Sequence, residues 1–407
     1  MLTFLQRATN NMQQTMLPLL AHDTLHLAAH TVGLLATVFT AAMIGATTLI
    51  AVRIPTAAIE RAVLLSTLAL LLTLPLYGMV HTAGQLAILV AAGGAASGVI
   101  FPFLLTLASA SAPPAVRERA VALYALTLSL SLVGSPLLQG LLLDLTHNNL
   151  GAVYRVFTVA LAGSLVVLWR LERTRRGSLP VVGRPSRQEH AAAVPVRVRL
   201  RRLAGRPAYR LGFVGNLTYV VPFAALIAFG GVFAHEVYGA SYERIQLLFA
   251  AFFLTSFLAR LAVVLTAPIR RKGVVFGVAV LLTLGGLVLL GAGHALPLFV
   301  LGCLVLGIPH GLTYPLSAAL IADGVAPDEL GFANVVFSAA SNIVGFLVPP
   351  AVGLLAGRWG YPTTFPALAA PVAILAAALL PGRGRSPRLR RPAAGAGTAG
   401  PDGGGPR

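Results

Sequence analysis

Acidic residues are scarce in this sequence. Only 12 of its 407 residues are Asp or Glu, and charged residues of both signs make up 10%. Since a soluble globular protein carries about a quarter charged residues, this composition excludes an ordinary soluble domain. Hydrophobic residues account for 57%, and the mean hydropathy is +0.83. Apolar runs of about 20 residues recur along nearly the whole chain, which is typical of transmembrane helices.

Cysteine and lysine are nearly lacking as well. The one cysteine, Cys303, lies inside an apolar run, which excludes a disulfide framework and a cysteine-based metal site. A single lysine, Lys272, stands against 29 arginines, a bias that suggests a GC-rich, bacterial genome. The net charge of +18 would suggest nucleic-acid binding in a soluble protein. In a membrane protein the same charge collects in cytoplasmic loops, so no nucleic acid is expected. No metal or cofactor is expected either.

The apolar runs divide the chain into twelve predicted spans. They are predicted to be helices because backbone groups in lipid must be satisfied within their own segment. With the amino end in the cytoplasm, all but three of the 30 basic residues fall on the cytoplasmic side. The sequence therefore predicts a multi-pass protein of the inner (plasma) membrane with both termini cytoplasmic. The spans are 2–20, 31–52, 62–80, 85–110, 119–143, 153–171, 208–234, 244–267, 273–292, 296–322, 332–356 and 362–381.

The sequence contains one pattern twice, at a constant offset of 213 residues, as from Pro102 to Pro315. Segments 98–142 and 311–355 align without a gap, and they share glycines and prolines, which fix backbone shape. Six spans per copy imply two parallel halves with the same orientation. The predicted domains are a six-helix half (1–172), a basic cytoplasmic linker (173–206), a second six-helix half (207–381) and a disordered tail (382–407).

The linker is strongly basic. Its segment VPVRVRLRRL, residues 194–203, alternates arginine with apolar residues. Two interpretations remain open at this stage. The segment is either a solvated linker that only sets topology or a helix that lies along the anionic inner leaflet.

Two parallel six-helix halves joined by a basic loop resemble the major facilitator superfamily of secondary transporters, over about residues 1–381. The fifth span carries GSPLLQG at 134–140, which is similar to the Gly-Pro-x-x-Gly-Gly signature of the family's exporters. Ser135 and Gln139 replace two of its glycines. The resemblance implies helix bends or close helix approaches, either structural or part of gating. These positions are Gly134, Pro136, Gly140, Pro349 and Gly353.

Other signatures of the family are incomplete. The loop segment 45–61 keeps Arg53 and Arg61 but lacks the Asp of the family pattern. The fourth span, at 86–102, lacks the Arg that proton-driven drug exporters tend to carry there. Both departures argue against ordinary proton-coupled drug export.

The resemblance implies a secondary active transporter that works by alternating access around a mid-membrane site. The partial exporter signature favours efflux of a small organic or drug-like molecule. Such an antiporter would act as a monomer in the bilayer, with protons as the candidate coupling ion. Uptake of a nutrient by the same fold is the alternative, and a transport-dead receptor or scaffold is a third hypothesis.

An enzyme is not expected. It would need a cluster of His, Asp or Glu with metal or acid–base spacing. The one such grouping is His22, His26 and His30 with Asp23. These residues share a face only if one helix runs through 22–30, and a turn between the first two spans is expected there.

Polar side chains within the spans are the candidates for substrate contact, since they are costly in lipid. They either line the cavity or hold helices together. His310 either titrates during transport or is a neutral, hydrogen-bonded histidine. Arg7 is the one basic candidate, which argues against a strongly anionic substrate, and no acid is predicted within a span. The candidates are Arg7, Asn11, Gln14, Asn216, Tyr219, His310, Tyr314, Asn334, Ser338 and Asn342.

Overall fold

The computed structural model describes residues 1–50, 58–110, 117–175, 195–266, 269, 271–291 and 295–379. Within these ranges the chain is helical and contains no strand. The α-helices of that part are α1 (Leu2–Leu19), α2 (Ala29–Gly45), α3 (Ile59–Thr73), α4 (Ala83–Ala110), α5 (Arg117–Leu145), α6 (Leu150–Arg175), α7 (Val196–Ala204), α8 (Pro207–Tyr238), α9 (Tyr242–Thr266), α10 (Lys272–Gly291), α11 (Leu296–Gly324), α12 (Pro327–Trp359), α13 (Tyr361–Ala367) and α14 (Ala369–Ala377).

The membrane fold is confirmed by the length and composition of these helices. In the described ranges, α2 to α6 and α8 to α12 are long and apolar enough to cross a membrane, in part with the turns that follow them. The first helix, α1, is too polar to pass that test, yet most of its side chains are buried. The last predicted span divides into α13 and α14 at Leu368, between Pro366 and Pro371, neither of which can donate a backbone hydrogen bond.

The sequence repeat is reproduced in space. A Cβ on Gly98 of α4 would lie 2.2 Å from the carbonyl oxygen of Met43 on α2. A Cβ on Gly311 of α11 would lie 2.2 Å from the carbonyl oxygen of Ser256 on α9. The offset of 213 relates both the glycines and the carbonyls, so the two copies share one helix crossing. Glycine is needed at each because only a residue without Cβ allows this approach.

The two copies meet along pairs of helices, chiefly α2 with α12 and α5 with α9, while α1 also packs on α8. The main apolar core extends through both copies. We call the end of the bundle that carries α7 the linker end. The opposite end, which carries the turns after α1, α5 and α8, is the far end.

The basic helix α7 is docked on the second half. Leu203 is buried against a small cluster that includes Tyr209 and Ile321. Arg206, just after α7, forms an ion pair with Glu329 at 2.5 Å. This end of the predicted linker is therefore a fixed helix, while Val196, Val198 and Leu200 remain exposed beside its arginines.

Candidate functional site

A cavity of about 230 Å³ lies between the two halves, where α1 and α2 face α8 and α12. Most of its wall is apolar or aromatic. Among the described residues no charged side chain lines it. Such a wall accepts an amphipathic solute and offers amide and hydroxyl hydrogen bonds. Its polar lining consists of Gln13, Gln14, Thr40, Ser341 and Asn342.

A larger groove, of about 800 Å³, lies on the first half alone, between α3, α4 and the end of α2. Apolar side chains form nearly all of its wall, with Ser66 and Arg61 as the polar exceptions. Because the groove does not touch the second half, relative movement of the halves would not open or close it. Its volume therefore does not make it the pathway.

The central cavity is closed at the far end, where the backbones of α2 and α12 touch. A Cβ on Gly33 would lie 2.5 Å from the carbonyl oxygen of Pro349. A Cβ on Gly353 would lie 2.5 Å from the carbonyl oxygen of Ala29. We call these two contacts the far-end seal. Two of the five predicted bend or gating positions, Pro349 and Gly353, thus lie in it.

In the described part of the chain, the hydrogen bond between halves that lies nearest the linker end joins Arg260 of α9 to Ser129 of α5. Beyond it, Tyr314 on α11 is 61% exposed, although it lies within an apolar membrane helix. Tyr314 is therefore not part of the packed core.

Polar side chains of α1 form a buried network within the first half. Thr15 is hydrogen-bonded to Gln139 on α5 at 2.9 Å. The Gln139 amide donates to the Ser135 hydroxyl, which in turn donates to the carbonyl oxygen of Ala8 at 2.6 Å. Ser135 and Gln139 are the two departures from the exporter signature. Where the signature has glycine, this chain therefore uses hydrogen bonds to hold α5 against α1.

The predicted polar face of α1 is divided among three environments. Gln14 reaches the cavity wall. Asn11 is buried, and its Nδ2 has no hydrogen-bond partner among the described residues. The guanidinium carbon of Arg7 lies 4.0 Å from the ring centroid of Phe101 on α4, and the hydroxyl of Tyr124 on α5 interacts with it electrostatically. One predicted face thus gives one cavity residue.

A residue that the sequence did not single out, Gln13, also lies at the cavity wall. Both amide atoms of Gln13 are buried without a hydrogen-bond partner in the described structure. A Cβ on Gly93 would lie 2.3 Å from its Oε1, so glycine there makes room for the amide. A buried amide without a partner beside a cavity is placed to bond a solute or water. No spacing rule marks it, because α1 is polar on several faces.

His310 lies in an aromatic cluster formed by α8, α9 and α11. Its Nδ1 is 2.7 Å from the Ser256 hydroxyl oxygen. The ring of Phe223 stacks on it at a centroid distance of 4.4 Å, and those of Tyr219 and Phe252 lie at 5.4 Å. Because Phe223 lines the cavity, His310 stands one ring behind the cavity wall.

Arg260 is a charged residue inside the bundle, within the predicted span 244–267. Its Nη1 donates to the hydroxyl of Ser129, across the halves, at 3.0 Å. The hydroxyls of Tyr314 and Tyr219 interact with it electrostatically. The expectation that Arg7 is the one basic candidate for the pathway is therefore corrected, since Arg260 is a second.

The polar residues of α12 have two roles. Ser341 accepts a hydrogen bond from Asn216 of α8 at 3.0 Å, so Asn216 holds two helices together. Asn342 lines the cavity. Ser338 and Asn334 follow at four-residue steps, and both are exposed. Side chains at this spacing share a helix face, so the stripe runs from the cavity toward the linker end.

The two candidate tyrosines differ in exposure. Tyr219 is 3% exposed, and its hydroxyl has no hydrogen-bond partner in the described ranges. Tyr314 is exposed, and its ring lies 5.9 Å from that of Phe337. Of the pair, only Tyr314 has an exposed ring.

The bend positions on α5 lie at helix contacts. A Cβ on Gly134 would lie 3.0 Å from the ring of Phe4 on α1. The helix continues through Pro136 without a break. A Cβ on Gly140 would lie 3.5 Å from the carbonyl oxygen of Glu243 on α9, an ordinary contact distance. These positions shape packing within the first half and across to the second.

An ionic contact joins the halves at the far end. His22, in the turn after α1, lies 2.6 Å from Asp23 and 2.5 Å from Glu236 on α8. Hydrogen bonds to Asp23 and then Glu236 raise the pKa of His22 to about 9, so its imidazole is charged at neutral pH. Tyr242 and Tyr361 lie near the same carboxylates. We call His22, Asp23 and Glu236 the far-end latch.

The latch replaces the metal site considered from the sequence. His26 has a positive φ of 52°, so no single helix runs through 22–30. His22 turns to carboxylates instead of to His26 and His30. In the described ranges no three His, Cys, Asp or Glu side chains are placed to share a metal ion.

The fold and the cavity define a class: a polytopic helical membrane protein of two related halves, with a solute-sized cavity between them that is sealed at one end. The chain belongs to the Major Facilitator Superfamily, whose family profile matches residues 1–242 and 211–401. No curated protein matches the sequence at a significant level.

Solved structures share the fold at low sequence identity. A bacterial homolog of the human lysosomal transporter Spinster, in an inward-facing and occupied conformation, is 14% identical with a TM-score of 0.71, covering 93% of this chain and 94% of that one. The nucleoside transporter NupG is 14% identical with a TM-score of 0.70, covering 93% and 96%. The human organic anion transporter MFSD10 is 14% identical with a TM-score of 0.58, covering 93% and 97%.

Proposed function

We propose that the protein is a secondary transporter that exports a small organic or drug-like solute by alternating access. One observation carries the proposal. The cavity between the halves is sealed at the far end by glycine–carbonyl contacts of α2 and α12, and we infer that it opens toward the linker end. A solute that enters from the linker end is released at the far end only when the halves rock and the seal opens.

The direction of transport follows from a proposed orientation. The linker end carries the arginines of α7, and basic segments are retained in the cytoplasm. We place both termini there, in the inner membrane of a bacterium. The exporter-like segment at 134–140 then favours efflux, and the protein acts as a monomer.

Protons are the proposed coupling ion. The far-end latch joins a histidine to two carboxylates across the halves, and opening the far end would expose all three groups to the outside. Proton exchange at this place would link the external pH to the state of the seal. The solutes that the structural neighbours carry, among them nucleosides, peptides and organic anions, support a small organic substrate.

The test is flux through purified full-length protein in liposomes. Three probes share a naphthalene ring: a sulfonate, a neutral sulfonamide and a quaternary ammonium. We expect at least one probe to cross faster than in protein-free liposomes, with a rate that responds to a pH gradient. When the linker end faces the liposome interior and the probe is loaded inside, the protein should carry the probe out of the liposome.

Each of the other outcomes would support a different alternative to proton-coupled export. Flux that is unaffected by the gradient rejects proton coupling. Flux in the opposite direction under an imposed gradient supports uptake instead of export. Binding of probes without any flux would identify a receptor or scaffold and reject the transport proposal.

A further inference from the structure

We propose that the solute is an amphipathic organic anion whose acidic group binds between Arg7 and Arg260. The inference rests on the proposed transport function and names the substrate class of the same pathway. It revises the sequence-based argument against a strongly anionic solute, which counted Arg7 as the one basic residue in the pathway.

Arg7 lies on the polar helix α1 and Arg260 on the membrane helix α9, and neither has a carboxylate partner in the described ranges. Arg7 contacts the ring of Phe101 and the hydroxyl of Tyr124, and Arg260 contacts the hydroxyl of Ser129. No Asp or Glu of the described ranges contacts either one. Charged side chains inside a membrane protein are normally paired or face a functional water-filled cavity, so two unpaired guanidinium groups suggest that the partner is a ligand.

The two guanidinium groups approach the same stretch of α5 from opposite halves. Arg7 belongs to α1 and interacts at Tyr124, while Arg260 belongs to α9 and bonds at Ser129. These contact points are five residues apart, which corresponds to about 7.5 Å along a helix and about 140° around it, so the two guanidinium groups approach neighbouring levels of α5 from different sides. Both side chains keep some exposed surface, although the Nε of Arg7 is buried. An anion held here would touch both halves at once.

The surroundings favour an anion with an aromatic or other apolar body. The rings of Phe101 and Tyr314 and the largely apolar cavity wall supply nonpolar surface. Guanidinium groups bind carboxylate, sulfonate or phosphate oxygens through paired N–H groups. The chemistry therefore fits a solute with one acidic group on an apolar frame.

The anion would also act during the rocking movement. When the halves change position, the hydrogen bond from Arg260 to Ser129 must lengthen or break, because it crosses between them. Without a counter-charge, loss of this hydrogen bond leaves the positive charge of the Arg260 guanidinium poorly solvated within the membrane. A bound anion compensates both arginines, so binding and movement are linked.

Binding to the detergent-purified full-length protein tests the site without requiring transport. The probes are radiolabelled naphthalenesulfonate, naphthalenesulfonamide and the quaternary ammonium analogue. We expect the sulfonate to bind at least about tenfold more tightly than the sulfonamide, because paired charged hydrogen bonds are stronger than neutral ones. Arg7→Gln and Arg260→Gln should each weaken sulfonate binding by about tenfold, whereas Arg260→Lys should weaken it less.

The matched control is Arg358→Gln, because Arg358 is exposed near the far end of α12 and away from both arginines. It should leave sulfonate binding unchanged. Equal binding of sulfonate and sulfonamide by the unaltered protein would overturn the proposal, a result that does not depend on whether any variant folds. Unchanged sulfonate binding in both glutamine variants would overturn it as well.

Liposome flux separates this site from the transport function. Sulfonate-selective binding without flux would support the anion site and reject transport. Flux of the sulfonamide or the ammonium probe, with no sulfonate binding, would keep the transport function and reject the anion site.

Discussion

The two main interfaces between the halves occupy equivalent places in the repeat but differ in chemistry. Where α2 meets α12, a Cβ on Gly353 would lie 2.5 Å from a backbone oxygen. Where α5 meets α9, its repeat counterpart Gly140 has its nearest neighbouring atom at 3.5 Å. The first interface is therefore in tight backbone contact, and the second is looser.

Polar contacts follow the same division. At the first interface, Thr37 donates across to the Phe346 carbonyl oxygen. At the second, Arg260 bonds to Ser129. The offset of 213 relates Arg260 to Thr47 and Ser129 to Asn342. Thr47 bonds to a carbonyl of its own half, and Asn342 lines the cavity.

The two copies therefore share the positions of their helices but differ in the polar and charged residues at the interface between the halves. The equivalent glycines keep the helices in the same places. The looser interface carries a long charged side chain, Arg260, and the tight one has Thr47 at the equivalent position. We infer that α2 and α12 act mainly as the seal, while α5 and α9 place the charge that a solute meets.

The largest effect is expected from a bulky residue in the seal. Gly353→Leu would force α2 and α12 apart, because its Cβ would meet the Ala29 carbonyl oxygen at 2.5 Å. Overpacking of a tight contact costs about 1–3 kcal/mol, and we expect the upper end here. Spin labels across the far end should report a larger separation, and flux should fall at least about tenfold.

Gly357 provides the matched control, one turn along the same helix. A Cβ there meets no atom within 4 Å, so Gly357→Leu should leave both separation and flux near their original values. Equal effects of the two leucines would show that the far-end contact is not a tight seal.

A second effect concerns the latch, where the repeat is again unequal. Both copies carry Ala-His followed by an acid, yet only His22 bridges the halves. Its counterpart His235 lies 2.9 Å from the carbonyl oxygen of Ala240 in its own half. His22→Gln should weaken far-end closure, and His235→Gln should not, as measured by the same spin-label distance.

The pH dependence has a definite sign. The pKa of His22 is about 9 in the closed latch and 6.5 for an ordinary histidine. Its stabilisation of the closed far end is therefore fully present below pH 6.5 and is lost as the pH rises through about 9. After allowance for solvent screening we expect about 1–2 kcal/mol. Far-end closure that is unchanged between pH 6 and 10 would contradict this.

A smaller effect is expected when the equivalent polar residues of the two interfaces are replaced by alanine. Ser129→Ala removes the hydrogen bond from Arg260 across the halves, with an expected loss of about 1 kcal/mol from the state seen here. Its repeat counterpart, Asn342→Ala, should leave the spin-label distances unchanged, since Asn342 lines the cavity, but should weaken solute binding. The opposite pattern would mean that the two interfaces have exchanged roles.

Much of the architecture was predictable because glycine and proline restrict the backbone conformation, and their positions can be read directly from the sequence. The offset that aligns Gly98 with Gly311 in the sequence also relates the carbonyls that they contact. The fold and family are confirmed. The division of the last span was not foreseen, since its composition is largely apolar and only Pro366 and Pro371 mark the interruption at Leu368.

The site was less predictable because it depends on neighbours from distant parts of the chain. Arg260 is six residues from the end of α9, and an arginine so placed usually extends to the membrane surface. Its orientation toward Ser129 follows only from the packing of α5 on α9. Likewise, spacing placed Asn11 and Gln14 on one face of α1, but it did not indicate that Gln13 lines the cavity.

The smallest expected effect tests the comparison at its simplest, with alanine at the two equivalent glycines. Gly140→Ala adds a Cβ at ordinary contact distance, 3.5 Å from the Glu243 carbonyl oxygen. We expect the free energy of unfolding to change by no more than about 0.5 kcal/mol. The added methyl group packs slightly less well in the folded state, but alanine also lowers the conformational entropy of the unfolded chain. Gly353→Ala places the same methyl group at 2.5 Å and should clearly lower the thermal midpoint. If both alanines were tolerated alike, the two interfaces would be equally loose, and the greater tightness of α2 against α12 would not explain where the far end closes.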